Sequence, residues 1–402
     1  MTARWATGWQ APRSLDFGRH GGAHRTQAEA GAIAGIPAAA SGSLALVHDY
    51  LTQRGGAERV VLALTRAFPG APLYTSLYHP EGTFPEFAQV DVRALSLNRS
   101  ARLRRSHRLA FPLLAPAFSR LRIDADVAIA SSSGWAHGAG VRGRKIVYCH
   151  APARWLYQQE RYLGERPSRL AAAALDLGRR PLLGWDRRAA ASADRYLANS
   201  TATRDRIRSA YGITAEVVPP PHSVDTAAPL DPDPALEPGF LLCVSRLLPY
   251  KNVDATVEAF AGLGDLRLVV VGAGPDAERL RAAAPANVTF AGTVSDERLR
   301  WLYASALGTV AASFEDFGLT PLEAAAFGRP TAALRFGGFL DTIVEGQTGL
   351  LFDRPEARPI AVAVRALAER SWDAAAIAAH AATFSEARFT ARLQEIVREV
   401  MA

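Results

Sequence analysis

Two alternating series of short apolar runs and amphipathic stretches divide the chain. The first begins at Leu44, where L-A-L-V-H-D-Y-L leads through Q-R-G-G-A-E-R into an apolar stretch with Val60, Val61, Leu64 and Phe68 at helical spacing. That order reads as strand, Gly-Gly loop, helix. Further strands are expected at 72–77, 126–131, 145–150, 195–199 and 216–218, with helical patterns between most of them. Pro219-Pro220-Pro221 and the D-P-D-P-A-L-E-P-G that follows break the alternation and read as a linker over 219–239. The second series then places strands at 240–245, 268–272, 288–291, 307–312, 331–334 and 350–352. Such alternation predicts an α/β protein of two doubly wound parallel-sheet domains, 44–218 and 240–383, with ligands outside the carboxyl ends of the strands. In the tail, 384–402, Phe389, Leu393, Ile396, Val397 and Val400 give a last helix with one apolar stripe. Residues 1–43 show neither period and are expected to be a loose arm.

Candidate chemistry concentrates in 311–323, A-A-S-F-E-D-F-G-L-T-P-L-E. The apolar run before it suits a buried strand, and Gly318 permits a sharp turn. Thr320, Pro321 and Glu323 fit the N-cap, first and third positions of a capping box. A helix start offers free N–H groups and partial positive charge to an anion, while Glu315 and Glu323 beside it can grip sugar hydroxyls. The alternative is that Glu323 merely caps its helix and Glu315 with Asp316 forms a solvated loop pair. At another expected strand end, in C-V-S-R-L-L-P-Y-K-N-V, Arg246 offers a planar fork and Lys251 a point charge to a diphosphate. Gly55 and Gly56 let a ligand approach the backbone at a helix start. L-V-V-V-G-A-G-P-D-A sets Gly272, Gly274 and Ala277 in the loose dinucleotide fingerprint, but Gly292 stands where a ribose-binding acid is expected, which disfavours an NAD enzyme.

Composition narrows the classes. With 402 residues, 49% hydrophobic and 21% charged, the chain suits two globular domains rather than a disordered or membrane-spanning protein. A net charge of +7 and a pI near 9.7 favour anionic partners: nucleic acid, phosphorylated ligands or anionic lipid. Only two cysteines, Cys149 and Cys243, occur, both in apolar strand-like runs, so a disulfide framework is not expected.

Together, G-G-A-E-R, S-R-L-L-P-Y-K-N, V-V-V-G-A-G-P and E-D-F-G-L-T-P-L-E-A-A-A-F-G-R-P resemble the retaining glycosyltransferases of family 4, whose GT-B architecture faces two Rossmann-like domains across a cleft. The likeness runs from about Leu44 to the C-terminus. V-H-D-Y-L, Y-C-H-A-P-A-R-W-L-Y and A-N-S-T-A-T-R-D-R-I are most similar to the bacterial mannosyltransferases that build cell-surface polysaccharide. The resemblance implies an acceptor-side first domain, a second domain for the nucleotide sugar, and a final helix that crosses back to the first. It implies that Glu315 touches the donor sugar, Glu323 the ribose, and Arg246 with Lys251 the diphosphate. His150 would face the sugar, and Gly55 and Gly56 the phosphates or acceptor. Gly272, Gly274, Gly318, Leu319 and Thr320 would line the nucleotide site. No cofactor is implied beyond the donor substrate, GDP-mannose or UDP-glucose, and the acceptor would be a glycan or lipid-linked saccharide. Many members carry P-N-G-V-D where this chain has P-P-P-H-S-V-D.

No metal is required if Arg246 and Lys251 neutralise the departing diphosphate. Asp124 and Asp126 spell a D-x-D, yet they precede their strand rather than follow it. Cys149 alternates away from His150, which disfavours a Cys–His nucleophile pair. Arg99, Arg102, Arg104, Arg105 and Arg108 interleave with Leu97, Leu103, Leu109, Phe111, Leu113 and Leu114. That segment fits an anionic membrane surface or an exposed helix with one buried stripe; without stacking aromatics it does not fit nucleic acid. The expected place is the cytoplasm, peripheral on the inner face of the plasma membrane. An epimerase or hydrolase of nucleotide sugars could share the architecture, and so could a silent binding protein.

Overall fold

A computed structural model describes residues 43–158 and 169–402; apart from Ser43, the arm expected over 1–43 lies outside the described residues. The first series forms β1 (Leu44–His48), β2 (Leu73–Thr75), β3 (Val92–Ala94), β4 (Arg122–Ile123), β5 (Val127–Ser132), β6 (Gly140–Val141), β7 (Arg144–Cys149), β8 (Arg195–Ala198) and β9 (Glu216–Val217). Seven of these build one parallel sheet, ordered β3-β2-β1-β5-β7-β8-β9, and β4 pairs with β6 beside it. The second series forms β10 (Phe240–Val244), β11 (Leu268–Val271), β12 (Val288–Gly292), β13 (Ala306–Ala311), β14 (Thr331–Leu334) and β15 (Gly349–Phe352), ordered β12-β11-β10-β13-β14-β15 and also parallel. The edge strand β3 and the small β4–β6 pair have no strong apolar signature, and the sequence pattern does not foresee them.

Side-chain alternation explains why both faces of each sheet are buried. In the first sheet Ala45 and Val47 join Ala128, Ala130 and Val147 on one face, while Leu46 joins Ile129, Ile146 and Tyr148 on the other. The helix Gly56–Ala67 covers the second of these faces with Val60, Val61 and Leu64. Phe389, Leu393, Ile396 and Val397 of the C-terminal helix Glu386–Met401 enter that same face. Gln394 Nε2 donates to the Ala67 carbonyl at 3.1 Å, and Glu386 pairs with Arg66. The proline-rich segment touches the tail as well, where the His222 N–H donates to the Phe384 carbonyl at 3.3 Å.

The arginine-rich segment is not one helix. It breaks into the turns Ser96–Arg99 and His107–Ala110 around the short helix Ala101–Arg105, and only then comes the helix Phe111–Arg120. Leu114 is buried, Leu97, Leu103 and Phe111 pack against the core, and Leu109 and Leu113 point to solvent at 60% and 45% exposure.

Candidate functional site

Strand order reverses between β1 and β5 and between β10 and β13, the places where open parallel sheets gather ligands. The loops leaving those carboxyl ends meet one another. Gly56 lies under Leu319, whose Cδ1 would stand 3.8 Å from a β-carbon at that position.

On the second domain, β10 runs into Arg246 and then the short turn Pro249–Lys251. Asn252 follows at φ 52°, and its side chain donates to the Ala312 carbonyl at 2.8 Å, tying this loop to the end of β13. The geometry brings Lys251 Nζ onto Glu315 Oε1, which also accepts from Ser313 Oγ at 3.1 Å. Burial works to raise the Glu315 carboxyl, but Lys251, Arg154 and Ser313 together hold it below its ordinary value. Glu315 is therefore an ionised group rather than a solvated loop residue. Arg246 donates to the Tyr250 hydroxyl at 3.2 Å, and its charge reaches Glu58 and His107 of the first domain.

Gly272 and Gly274 are explained by close packing. A β-carbon on Gly272, whose φ is +132°, would lie 1.9 Å from the Ser245 carbonyl oxygen, and one on Gly274 would lie 2.1 Å from that of Leu247. Both glycines thus seat the loop that carries Arg246. Gly318, at φ +83°, makes the turn before Leu319 and Thr320.

The capping box does not form. Leu319, not Thr320, is the N-cap of the helix Thr320–Ala326, and no side chain caps it. Glu323 instead accepts from the buried Tyr303 hydroxyl at 2.7 Å. A buried phenol in need of an acceptor outweighs a local capping bond.

The first domain contributes neutral groups. His150, just past β7, takes a hydrogen bond with Ser131 Oγ at 2.8 Å, and His48 Nδ1 meets the same hydroxyl at 3.1 Å. Burial pushes the His150 imidazole down to about 3, helped by His48 and Arg154, so it is uncharged near neutral pH. Cys149 packs with Val147 on a sheet face, away from His150. Asp124 and Asp126 both pair with Arg142 at the opposite end of β5. A β-carbon on Gly55 would lie 2.5 Å from Glu58 Oε2, the far end of a side chain that would then have to shift. Burial pushes the Glu58 carboxyl up to about 7.

Three features escaped the sequence reading. Asp49 is buried at the end of β1 and accepts from the N–H groups of Ser133 and Ala136 at 2.7 and 2.6 Å, fixing the loop after β5. Aromatic rings line the first domain beside it, with Tyr50 stacked on His107 at 4.3 Å and Trp135 on Trp155 at 4.5 Å. Asp316, read as a solvated partner of Glu315, is 6% exposed and meets arginines of the first domain.

Residues 54–227 match the family model described as Glycosyltransferase Family 4, and residues 231–383 that described as Glycosyl transferases group 1. A D-inositol 3-phosphate glycosyltransferase of Rhodococcus opacus is 33% identical over 223 residues, 49% of this chain and 50% of the relative. A GDP-mannose-dependent alpha-(1-6)-phosphatidylinositol monomannoside mannosyltransferase of Mycobacterium tuberculosis is 33% identical over 196 residues, 42% of this chain and 51% of the relative. The chain spans about half the length of the curated relatives it matches. Among solved structures, Anabaena HepE in complex with UDP-glucose superposes with a TM-score of 0.64 at 18% identity, over 89% of this chain and 100% of that one.

Proposed function

The chain belongs to the glycosyltransferases of family 4, with the GT-B fold, and from that premise we propose that it moves a mannosyl group from GDP-mannose to a glycan or lipid-linked saccharide. The observation that carries this reading is the Lys251–Glu315 pair at the end of β13, with Arg246 beside it and neutral His150 on the facing domain. One charge pair then addresses both ends of the bond that breaks. Glu315 accepts hydrogen bonds from the sugar hydroxyls, while Lys251 and Arg246 take up the negative charge that gathers on the leaving diphosphate. Positive charge develops on the sugar at the same time, next to an ionised carboxylate. His150 exchanges a hydrogen bond with a sugar hydroxyl without adding charge. Glu323, which accepts from the buried Tyr303, would bind the ribose beneath the turn 318–320.

The acceptor hydroxyl attacks on the face from which the diphosphate departs, and its proton passes to the leaving oxygen, so the anomeric configuration is kept. Leu109 and Leu113, exposed among Arg102, Arg105 and Arg108, form a small apolar and basic surface that suits an anionic lipid interface and hence a lipid-linked acceptor. Among the described residues no helix is long and apolar enough to cross a membrane.

Thermal protection by a panel of nucleoside-diphosphate sugars identifies the donor, since a ligand of the native state raises apparent stability. Transfer to a mannolipid acceptor, with the anomer read by NMR, then tests the reaction. GDP-mannose should protect and yield the α-linked product. Conversion of the donor to its epimer, or hydrolysis that an acceptor does not divert, overturns the reading.

A further inference from the structure

The loop that carries Glu315 is held from the other domain. Asp316 Oδ2 accepts from Arg154 Nε at 2.7 Å, and Asp316 Oδ1 pairs with Arg206. Arg154 opens the short helix Arg154–Tyr157, four residues after His150, and Arg206 lies on the helix Thr201–Tyr211 after β8. Ser200 Oγ donates to the Asp316 carbonyl at 2.6 Å. The Thr201 N–H and hydroxyl donate to the Asp341 carboxylate at 2.7 and 2.6 Å. Asp341 belongs to the helix Phe339–Thr342, and just before it the Gly338 N–H donates to the Glu315 carbonyl at 3.2 Å. The Asp316 bonds act on the residue next to Glu315, and the Thr201–Asp341 bonds act on the helix that follows Gly338, whose N–H holds the Glu315 carbonyl.

We propose that Arg154 and Arg206 are positioning residues: by gripping Asp316 from the first domain they set Glu315 against the donor sugar and couple that setting to closure of the cleft. The inference rests on the glycosyl-transfer reading of the site. Its physical basis is that two arginines from separate helices converge on one carboxylate, which they can reach only when the domains are together. A guanidinium fork fixes orientation as well as distance, which a solvated lysine would not. Arg154 has a second effect, because its charge lies near both Glu315 and His150, favouring the ionised form of the first and the neutral form of the second. Closure also removes water from a donor that water would otherwise consume.

The test compares the full-length protein with Arg154→Gln, Arg206→Gln and Asp316→Asn, each assayed for sugar transfer, donor hydrolysis and GDP binding. A misplacement of about 1 Å costs on the order of 10²-fold. Each variant should therefore lose transfer by roughly that factor in kcat, keep its KM for donor within about threefold, and release a larger share of free sugar. Arg206→Gln combined with Asp316→Asn should be no worse than the single variants, because one contact is being removed twice. Asp316→Glu should restore part of the rate. Small-angle scattering should show the three variants more open than the parent. Parental kcat in the variants, or a loss confined to donor KM, overturns the positioning role; unchanged scattering overturns the coupling to closure. A parent that consumes no nucleotide sugar counts against the glycosyl-transfer reading instead, and the scattering then still decides whether the grip holds the domains.

Discussion

On the second domain's rim charge is placed within reach of a ligand, Lys251 against Glu315 with Arg246 beside them, whereas the first domain's rim is neutral and closely packed. There His48, Ser131 and His150 form a hydrogen-bonded row, and aromatic rings stack next to it. On the proposed reading, the difference suits the two halves of a nucleotide sugar. A diphosphate needs fixed cations, while a sugar ring and its acceptor need flat surfaces and hydrogen-bonding groups that add no charge. Arg154 and Arg206 bring positive charge to this side, and both are turned to Asp316 of the other rim.

The strongest way to break this contrast is to remove the support beneath the neutral rim. The C-terminal helix follows the second domain in sequence, yet Phe389 packs edge-on against Tyr148, two residues before His150. Burying Phe389, Leu393, Ile396 and Val397 contributes about 1.5–3 kcal/mol each, so about 6–12 kcal/mol together as an upper estimate. That is comparable with the whole stability of a domain. Deleting 384–402 is expected to abolish transfer and the cooperative melting of the first domain, while the second domain keeps its own transition in calorimetry. A truncated chain with both transitions and full activity would show that the helix does not carry that rim.

Next in size is the charged rim. Lys251→Ala should lower transfer by about 10²-fold or more, the effect of losing an electrostatic stabiliser. It also leaves Glu315 partly buried without its main counter-charge, so burial raises the carboxyl toward neutral pH. The rate left in Lys251→Ala should therefore fall as pH is lowered through the range where the parent is flat. A pH–rate profile parallel to the parent's would mean that Lys251 does not hold Glu315 ionised.

The neutral rim makes a smaller, titratable prediction. His150 stays unprotonated in the fold down to about pH 3, but takes up a proton near 6.5 once unfolded. Its contribution is present above pH 6.5 and is lost as pH falls from there toward 3, with a slope of about 1.4 kcal/mol per pH unit. Replacing His150 by Gln should reduce the slope of unfolding free energy against pH by about that amount between pH 6 and 4. An unchanged slope from denaturant titrations would mean that His150 is protonated in the native state.

The same contrast explains what the sequence made legible. The charged rim was readable because Arg246, Lys251 and Glu315 each follow a strongly apolar strand within a few residues, so a local pattern places them. The contacts that join the domains were not, since Arg154 and Asp316 are 162 residues apart, and Thr201 and Asp341 are 140 apart. Nothing local marks Asp316 as different from any loop carboxylate. The arginine-rich segment misled for a related reason. Its spacing suits one amphipathic helix, but Ser100 and Ser106 lie in extended or irregular backbone that divides it. Only tertiary packing decides that Leu114 goes in while Leu109 stays out.

The smallest expected effect separates the two carboxylates of the charged rim. Read locally, Glu323 is the third residue of a capping box, and its loss would weaken a helix start. In the fold its carboxylate meets Tyr303, which lies in the helix Asp296–Ser305 just before β13, so it links that helix to the helix it begins. Glu323→Gln keeps an oxygen that can accept from Tyr303 but trades a carboxylate acceptor for the weaker amide one, and should cost stability about 1 kcal/mol. Tyr303→Phe removes the donor and leaves a buried carboxylate oxygen short of a partner, which costs about 1–3 kcal/mol. Under a capping role neither variant should cost much, because glutamine also serves at the third position of a capping box and phenylalanine at 303 would leave the helix start untouched. If Glu323 also holds the ribose, both variants should weaken GDP binding less than tenfold, with little change in the rate at saturating donor. Thermal melts in which both variants keep the parental stability would favour the cap, and unaltered GDP affinity in isothermal titration would move the ribose contact elsewhere.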